Sequence, residues 1–443
     1  MPNSKQSAAS KFAIELRAGK IALVLAATFA MAVMTIPAAQ AQTYTVIHNF
    51  TGGYAGAWPW TDLTITPNGR MYGTTFHGGS SQDFDCQYSG CGIVFELYQR
   101  NGNWVFNPLY DFRIQYGGFP KSAPVVGSDG ALYGAALTGG LLSSDCINAG
   151  CGTVYKLQPS PTRPTNVLLN WQPTIVYDFM GTEDDGGNPG GLIRDQAGNL
   201  YGGNGGGPYS CGLIYELSRS GNTWTFNKLY DGFPCHGDYE SIGPGGLVFD
   251  NEGNLYGVTY SGGSGQCTDF RLGCGTVFKL THTDSGWTAT TLYEFNEPTD
   301  GGGVVGVVRD AAGNLYGGTA TGGSAAGGTV WELSPTGGGG WTFQVLYSFT
   351  GSIYGGPIGR MALDAAGNLY GVTQSDGAYG QGNVFKFTSS NGGWIYTDLH
   401  DFTGGDDGAF PLKGPSLDTA GNIYGTASYA GSNGAGVVWE ITP

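Results

Sequence analysis

The sequence predicts an all-β protein, a seven-bladed β-propeller of four-stranded blades closed by its own N-terminal strand. Three observations carry that expectation. A Gly-Asn-Leu-Tyr-Gly-like phrase recurs around Tyr72, Tyr133, Tyr201, Tyr256, Tyr316, Tyr370 and Tyr424. Each copy spells short strand-like segments joined by Gly- and Asp-rich turns, with no helix-period stretch after residue 41. The seventh copy stops after its third segment, and Tyr44 to Phe50 supply the missing fourth. Repeats of this kind bury core only by stacking on neighbours, and a ring removes the pairable edges that an open array would expose.

Taken in chain order, the first element is a leader. Lys5, Lys11, Arg17 and Lys20 precede an apolar run from Ile21 to Ile36, and Ala39-Gln40-Ala41 follows. This is the pattern of a secretory signal peptide over residues 1–41, with an uncleaved anchor helix as the rival reading. It predicts an exported protein, secreted or periplasmic or at the cell surface, with no membrane span once the signal is removed. Residues 42–443 form the propeller. Its blades are expected at roughly 51–112, 113–179, 180–233, 234–295, 296–349, 350–402, and 403–443 plus 42–50.

The third copy shows why each segment reads as a strand. Gly190 to Arg194 is a short apolar run, and Asp195-Gln196-Ala197-Gly198-Asn199 is turn chemistry. Leu200-Tyr201-Gly202 resumes a strand. Leu213-Ile214-Tyr215-Glu216-Leu217 alternates apolar and polar, as a half-buried strand does. Trp224 opens a fourth strand that closes on Leu229-Tyr230-Asp231, and Trp104, Trp171, Trp287, Trp341 and Trp394 stand at the same point in other copies.

Composition narrows the function classes. The 81 Gly residues would suit disorder, but 13% aromatic residues in regular phrases argue for a packed β protein. A formal charge of −15, made more negative by loss of the basic leader, excludes an ordinary nucleic-acid binder. The chain is expected to be a monomer. Cys86/Cys91, Cys146/Cys151 and Cys267/Cys274 fall in equivalent loops and are expected to pair as disulfides. Cys211 is expected to reach Cys235, and a zinc site is the rival reading.

The run from Asp407 through Asn422-Ile423-Tyr424-Gly425-Thr426 to Trp439, and the copy from Asp300 to Phe349, resemble the GloVer (Gloeo/Verruco) tandem repeat. That repeat occurs in exported bacterial proteins called choice-of-anchor tandem repeat proteins. The resemblance spans residues 43–443 and implies a bacterial exported protein. It brings no activity and no catalytic residue with it.

Strand parity sorts the loops onto two faces. The Asp turns at Asp195, Asp250, Asp310, Asp364 and Asp418 belong to one face, where each Asp is expected to cap its own turn. The other face collects the cysteines, the long inserts and the acidic inter-blade loops. There Asp185, Asp300, Asp407 and Glu240 form either a carboxylate ring for calcium, the one candidate cofactor, or solvated turns. Trp58 and Trp60 occur only in copy one, and Tyr116, Phe119, Tyr239, Tyr354 and Phe410 add aromatics to the same loops. Rings beside carboxylates suit sugars, so these are the candidate ligand-binding residues. Asp62 and Arg360 replace Gly191 of the reference copy near the start of the axis-lining strand, and with His77 they are the candidate catalytic residues. No Gly-x-Ser-x-Gly elbow, His-Glu-x-x-His run or phosphate loop is present. The expected function is a binding module for an extracellular glycan or protein. The alternatives are a polysaccharide hydrolase or lyase, or a lactonase-like enzyme, at the channel mouth, and a structural envelope protein.

Overall fold

The computed structural model describes residues 42–80, 86, 89–142, 146, 149–160, 170–205, 212–231, 246–267, 273–284, 286–351, 354–390 and 393–443. The leader, Cys211, Cys235, Tyr239 and Glu240 lie outside the described residues, and with them the Cys211–Cys235 pairing.

Seven antiparallel four-stranded sheets follow one another as blades, each in simple up-and-down order from an inner first strand to an outer fourth. Blade 3 is the most regular, with strands Gly187–Arg194, Leu200–Gly205, Leu213–Ser220 and Thr223–Tyr230. Blade 7 takes its first three strands from Ser416–Leu417, Ile423–Ala427 and Val437–Thr442. Its fourth is the N-terminal strand Thr43–Asn49, paired from Thr43↔Thr442 to Asn49↔Val437. The closure expected from the sequence is therefore present.

The core lies between blades. Seven clusters of buried side chains each join two neighbouring blades, including the seam between blade 7 and blade 1, where Phe50 and Tyr424 meet Leu63 and Phe95. The repeated phrases explain this packing. The fourth-strand Trp packs edge-on against the Leu-Tyr-Gly tyrosine of the preceding blade, as in Trp104–Tyr424 at 6.0 Å and Trp224–Tyr133 at 5.7 Å. The glycine after that tyrosine lies directly beneath an aromatic residue of the third strand. A Cβ on Gly73 would overlap the Phe95 ring, and one on Gly425 would overlap Trp439. An outer belt of stacked rings crosses the seams as well. The N-terminal strand joins it on both sides through Tyr44–His400 at 3.7 Å and His48–Phe106 at 3.9 Å.

The Asp turns behave as their sequence demands. Asp418 accepts from the Asn422 amide N at 2.9 Å, the Asn422 side chain at 2.8 Å and the Tyr424 hydroxyl at 3.2 Å. The other four repeat the same set. The Tyr hydroxyl also donates to a third-strand Glu, at 2.8 Å for both Tyr201–Glu216 and Tyr424–Glu440. That third-strand position alternates around the ring, running Glu96, Lys156, Glu216, Lys279, Glu332, Lys386 and Glu440. The lysines lie over the tyrosine rings instead, at 5.3 to 5.7 Å. In blade 1, Arg70 replaces the turn Asn and pairs with Glu96.

Asp418→Ala is expected to destabilise the protein by about 2 kcal/mol, because the lost bonds are charge-assisted and leave donors unpaired. Urea denaturation measures this. Acid adds a second readout. Burial raises the pKa of Asp250 and Asp364, but hydrogen bonds from Asn254 and Asn368 outweigh it and hold both carboxyls below the usual range. Their contribution is complete above the unfolded carboxyl pKa of about 4 and declines as pH falls through the lower folded values.

Candidate functional site

The site begins at the point where each blade's chain comes in from its neighbour. In five blades an equivalent residue donates its backbone N–H to a carbonyl in the preceding blade's loop between strands two and three. The pairs are Trp58 to Ala435 (2.9 Å), Phe119 to Cys91 (2.9 Å), Asn188 to Cys151 (2.8 Å), Gly303 to Cys274 (3.0 Å) and Phe410 to Gln381 (2.8 Å). All five donors adopt left-handed backbone, with φ between 51° and 66°. Glycine and asparagine tolerate this conformation; a bulky aromatic residue does not, at a cost of about 1–3 kcal/mol each. Blades 7, 1 and 2 nevertheless place Phe410, Trp58 and Phe119 there.

These three residues anchor one continuous strip of rings. Phe410 contacts Tyr429 (5.8 Å), Tyr429 contacts Trp58 (5.0 Å) and Trp58 contacts His77 (4.6 Å). Phe76 then joins His77 (4.9 Å), Phe119 (5.2 Å) and Trp60 (5.2 Å). Lys121 caps the far end, 4.7 Å above the Trp60 ring. Trp58 and Tyr429 are 39% and 37% exposed, so their faces are open to a ligand. Burial lowers the pKa of both His77 and Lys121.

Disulfides clip the loops that receive the incoming chain in blades 1, 2 and 4. Cys86–Cys91, Cys146–Cys151 and Cys267–Cys274 are formed, with Cα separations of 5.0, 5.3 and 5.4 Å. Each closes a small loop and stabilises by about 2 kcal/mol. Cys91, Cys151 and Cys274 also supply the carbonyls that receive the next blade, and Cys91 does so for Phe119, a ring of the strip. These disulfides are consistent with an exported protein; no helix among the described residues is long and apolar enough to cross a membrane.

Several expected site residues lie elsewhere. His77 belongs to the ring strip and is not among the residues lining the central channel, so the Asp62–His77–Arg360 set is not assembled. Asp62 and Arg360 do line the channel, a cavity of about 610 Å³. They form no salt bridge with each other; Asp62 accepts instead from the Ala123 amide N at 3.1 Å. Tyr116 lines a separate depression with Arg113 and Trp171. Tyr354 is 43% exposed on the connection into blade 6.

The carboxylates offered for calcium or for turns are engaged within their own loops. Asp185 is buried and accepts from the Met180 N (2.8 Å), the Thr182 N (3.1 Å) and the Thr182 hydroxyl (2.8 Å). Asp300 accepts from the Tyr293 hydroxyl at 2.7 Å. Asp407 accepts from the Thr403 N at 2.9 Å and lies 3.1 Å from the His400 Nε2. Their oxygens close their own loops, and no cluster of metal-ligating side chains occurs among the described residues.

Sequence reasoning missed Phe76, Tyr429, Lys121 and Lys413. The first two follow the second strand in Gly-rich loops. Lys413 occupies a channel position where other copies carry Thr61, Ser122, Gly190 and Gly359, and that contrast is the signal that would have found it.

A family model described as the Gloeobacter/Verrucomicrobia repeat matches residues 143–352 and 266–443. No curated protein matches the chain. Among solved structures it is similar to a protein of unknown function from Dyadobacter fermentans, at 14% identity over 81% of this chain and 98% of that one, with a TM-score of 0.42. It is also similar to a mutant of the NanB sialidase from Streptococcus pneumoniae, at 13% identity over 93% and 72% of the two chains, with a TM-score of 0.42. Neither likeness bears on activity.

Proposed function

The chain belongs to the Gloeobacter/Verrucomicrobia repeat family, and we propose that it is an exported binding module whose ring strip across blades 7, 1 and 2 takes an extracellular glycan. One observation carries this reading: Phe410, Trp58 and Phe119 stand on left-handed backbone where blades 3 and 5 use Asn188 and Gly303. The bond to the neighbouring blade does not require an aromatic residue there, since the asparagine and glycine make it equally. Backbone strain retained by a half-exposed ring is a mark of function.

A glycan fits the strip better than a flat protein surface does. Sugar rings present C–H faces to aromatic planes and hydroxyls to the groups between them. Here the Lys121 ammonium stands at the end of the apolar track and offers a polar contact there. Tilted neighbours, such as Trp58–Tyr429 at 50° and Trp60–Phe76 at 56°, suit successive residues of a twisted saccharide chain.

A glycan array probed with labelled wild type and with the Trp58→Ala/Trp60→Ala variant tests this reading. The wild type is expected to light a related set of glycans, and the variant to lose the signal by about tenfold or more, as truncation of aromatic hot spots does. An array silent with the wild type, or equally bright with both, would remove the glycan assignment.

A further inference from the structure

The charge of the central channel runs against that of the chain. The protein has 34 acidic residues and 19 Lys and Arg. Yet the channel wall carries Arg194, Arg360 and Lys413 against Asp62 alone. Arg360 and Lys413 rise from blades 6 and 7 on backbones in direct contact. A Cβ on Gly359 would stand 3.0 Å from the Lys413 Cα, and one on Gly414 would overlap the Arg360 carbonyl. Neither cation forms a salt bridge among the described residues. Arg360 is exposed and Lys413 partly buried, and Asp62 is the one carboxylate in the same wall, so the pair presents a net positive charge to whatever enters the channel.

We propose that the channel mouth is a carboxylate site, where the Lys413 ammonium and the Arg360 guanidinium receive the acid group of a sugar acid. The cavity of about 610 Å³ is of the size that holds small molecules, roughly 300–1,000 Å³. Arg360 offers the planar fork that matches a carboxylate, and Lys413 adds a point charge beside it. Ser122 and Ser416 in the same wall put polar groups near the hydroxyls of a sugar ring. The site also adjoins the ring strip. Burial brings the pKa of Lys413 down to about 8, Asp62 raises it, and Lys121, the cation that caps Trp60, lowers it further. A free sugar acid needs only the channel. An acidic residue at the end of a longer glycan rests on the strip reading as well.

Isothermal titration of the mature chain with sodium glucuronate or galacturonate, against glucose, galactose and inorganic phosphate, tests the assignment. The acids are expected to bind and the neutral sugars and phosphate not to. Lys413→Met and Arg360→Gln should each weaken the acids about tenfold or more. Circular dichroism melts of the variants should match the wild type, because neither side chain is fully buried and neither forms a salt bridge among the described residues. Affinity should fall as pH rises through about 8, where Lys413 loses its proton. Phosphate binding as tightly as the acids, neutral sugars binding equally, or both variants binding like the wild type would overturn the proposal. The Trp58→Ala/Trp60→Ala variant separates the two readings. It should retain the free sugar acid even where its array signal is lost, whereas Lys413→Met should retain neutral glycans on the array.

Discussion

A chain lacking Thr43–Asn49 is expected to lose cooperative unfolding altogether, the largest single effect foreseen for this protein. The missing strand supplies the outer edge of blade 7, pairing along Val437–Thr442. Its removal exposes a row of unpaired backbone groups on a strand whose Val437, Val438, Trp439 and Ile441 are all fully buried. It also takes away Tyr44 and His48, whose rings stack on blades 6 and 1. Phe50, fully buried at the end of the same segment, closes the blade 7–blade 1 core; Phe50→Ala alone should cost about 3–5 kcal/mol. Near-ultraviolet circular dichroism during a thermal melt reports both changes. A synthetic peptide spanning residues 42–51 should restore part of the transition to the truncated chain. A truncated protein that melts like the full one would show that the ring does not depend on this strand.

The second large effect concerns binding, and it separates strain from packing. Replacing Trp58, Phe119 and Phe410 together by Asn installs at each place the residue that blade 3 carries as Asn188, with the same left-handed φ near 54°. Asparagine relieves strain of about 1–3 kcal/mol per site, enough to offset the packing given up by three rings of which none is fully buried and Trp58 is 39% exposed. The triple variant is therefore expected to melt at or above the wild-type temperature. Glycan binding should nevertheless fall by more than about a hundredfold, since the anchors of the strip are gone. Differential scanning calorimetry and titration with a glycan identified on the array give the two numbers. A clear loss of stability would mean that the rings are there to pack, and the functional reading of the strain would fail.

The fold was legible in the sequence because every blade repeats the contacts it needs. The Leu-Tyr-Gly glycine in all seven copies, the fourth-strand Trp in six and the Asp turn in five each meet a partner set by the same repeat. Ring closure was legible for the same reason, since Tyr44 to Phe50 match a phrase whose place in blade 7 was empty. The site was half legible. Parity placed Trp58, Phe119 and Phe410 on one face, but not their left-handed backbone, which depends on a bond to the neighbouring blade. His77 was misplaced because sequence order gives a residue's loop but not the side of that loop it faces. The acidic loops left two readings open in one dimension, and Asp185, Asp300 and Asp407 each fold back on a backbone N–H or hydroxyl a few residues away.

The alternating Glu and Lys of the third strands meets a rule of parity. Two letters can alternate perfectly only around an even circle, and seven is odd, so one letter must stand beside itself. That fault falls between Glu440 and Glu96, at the joint where the two ends of the polypeptide are fastened without a peptide bond. Arg70, standing where copies three to seven have a neutral amide, lends its guanidinium to Glu96 there. A wheel of six or eight such sectors would carry no fault to heal. The electrostatic pattern thus counts the sectors, and it places its one correction at the clasp.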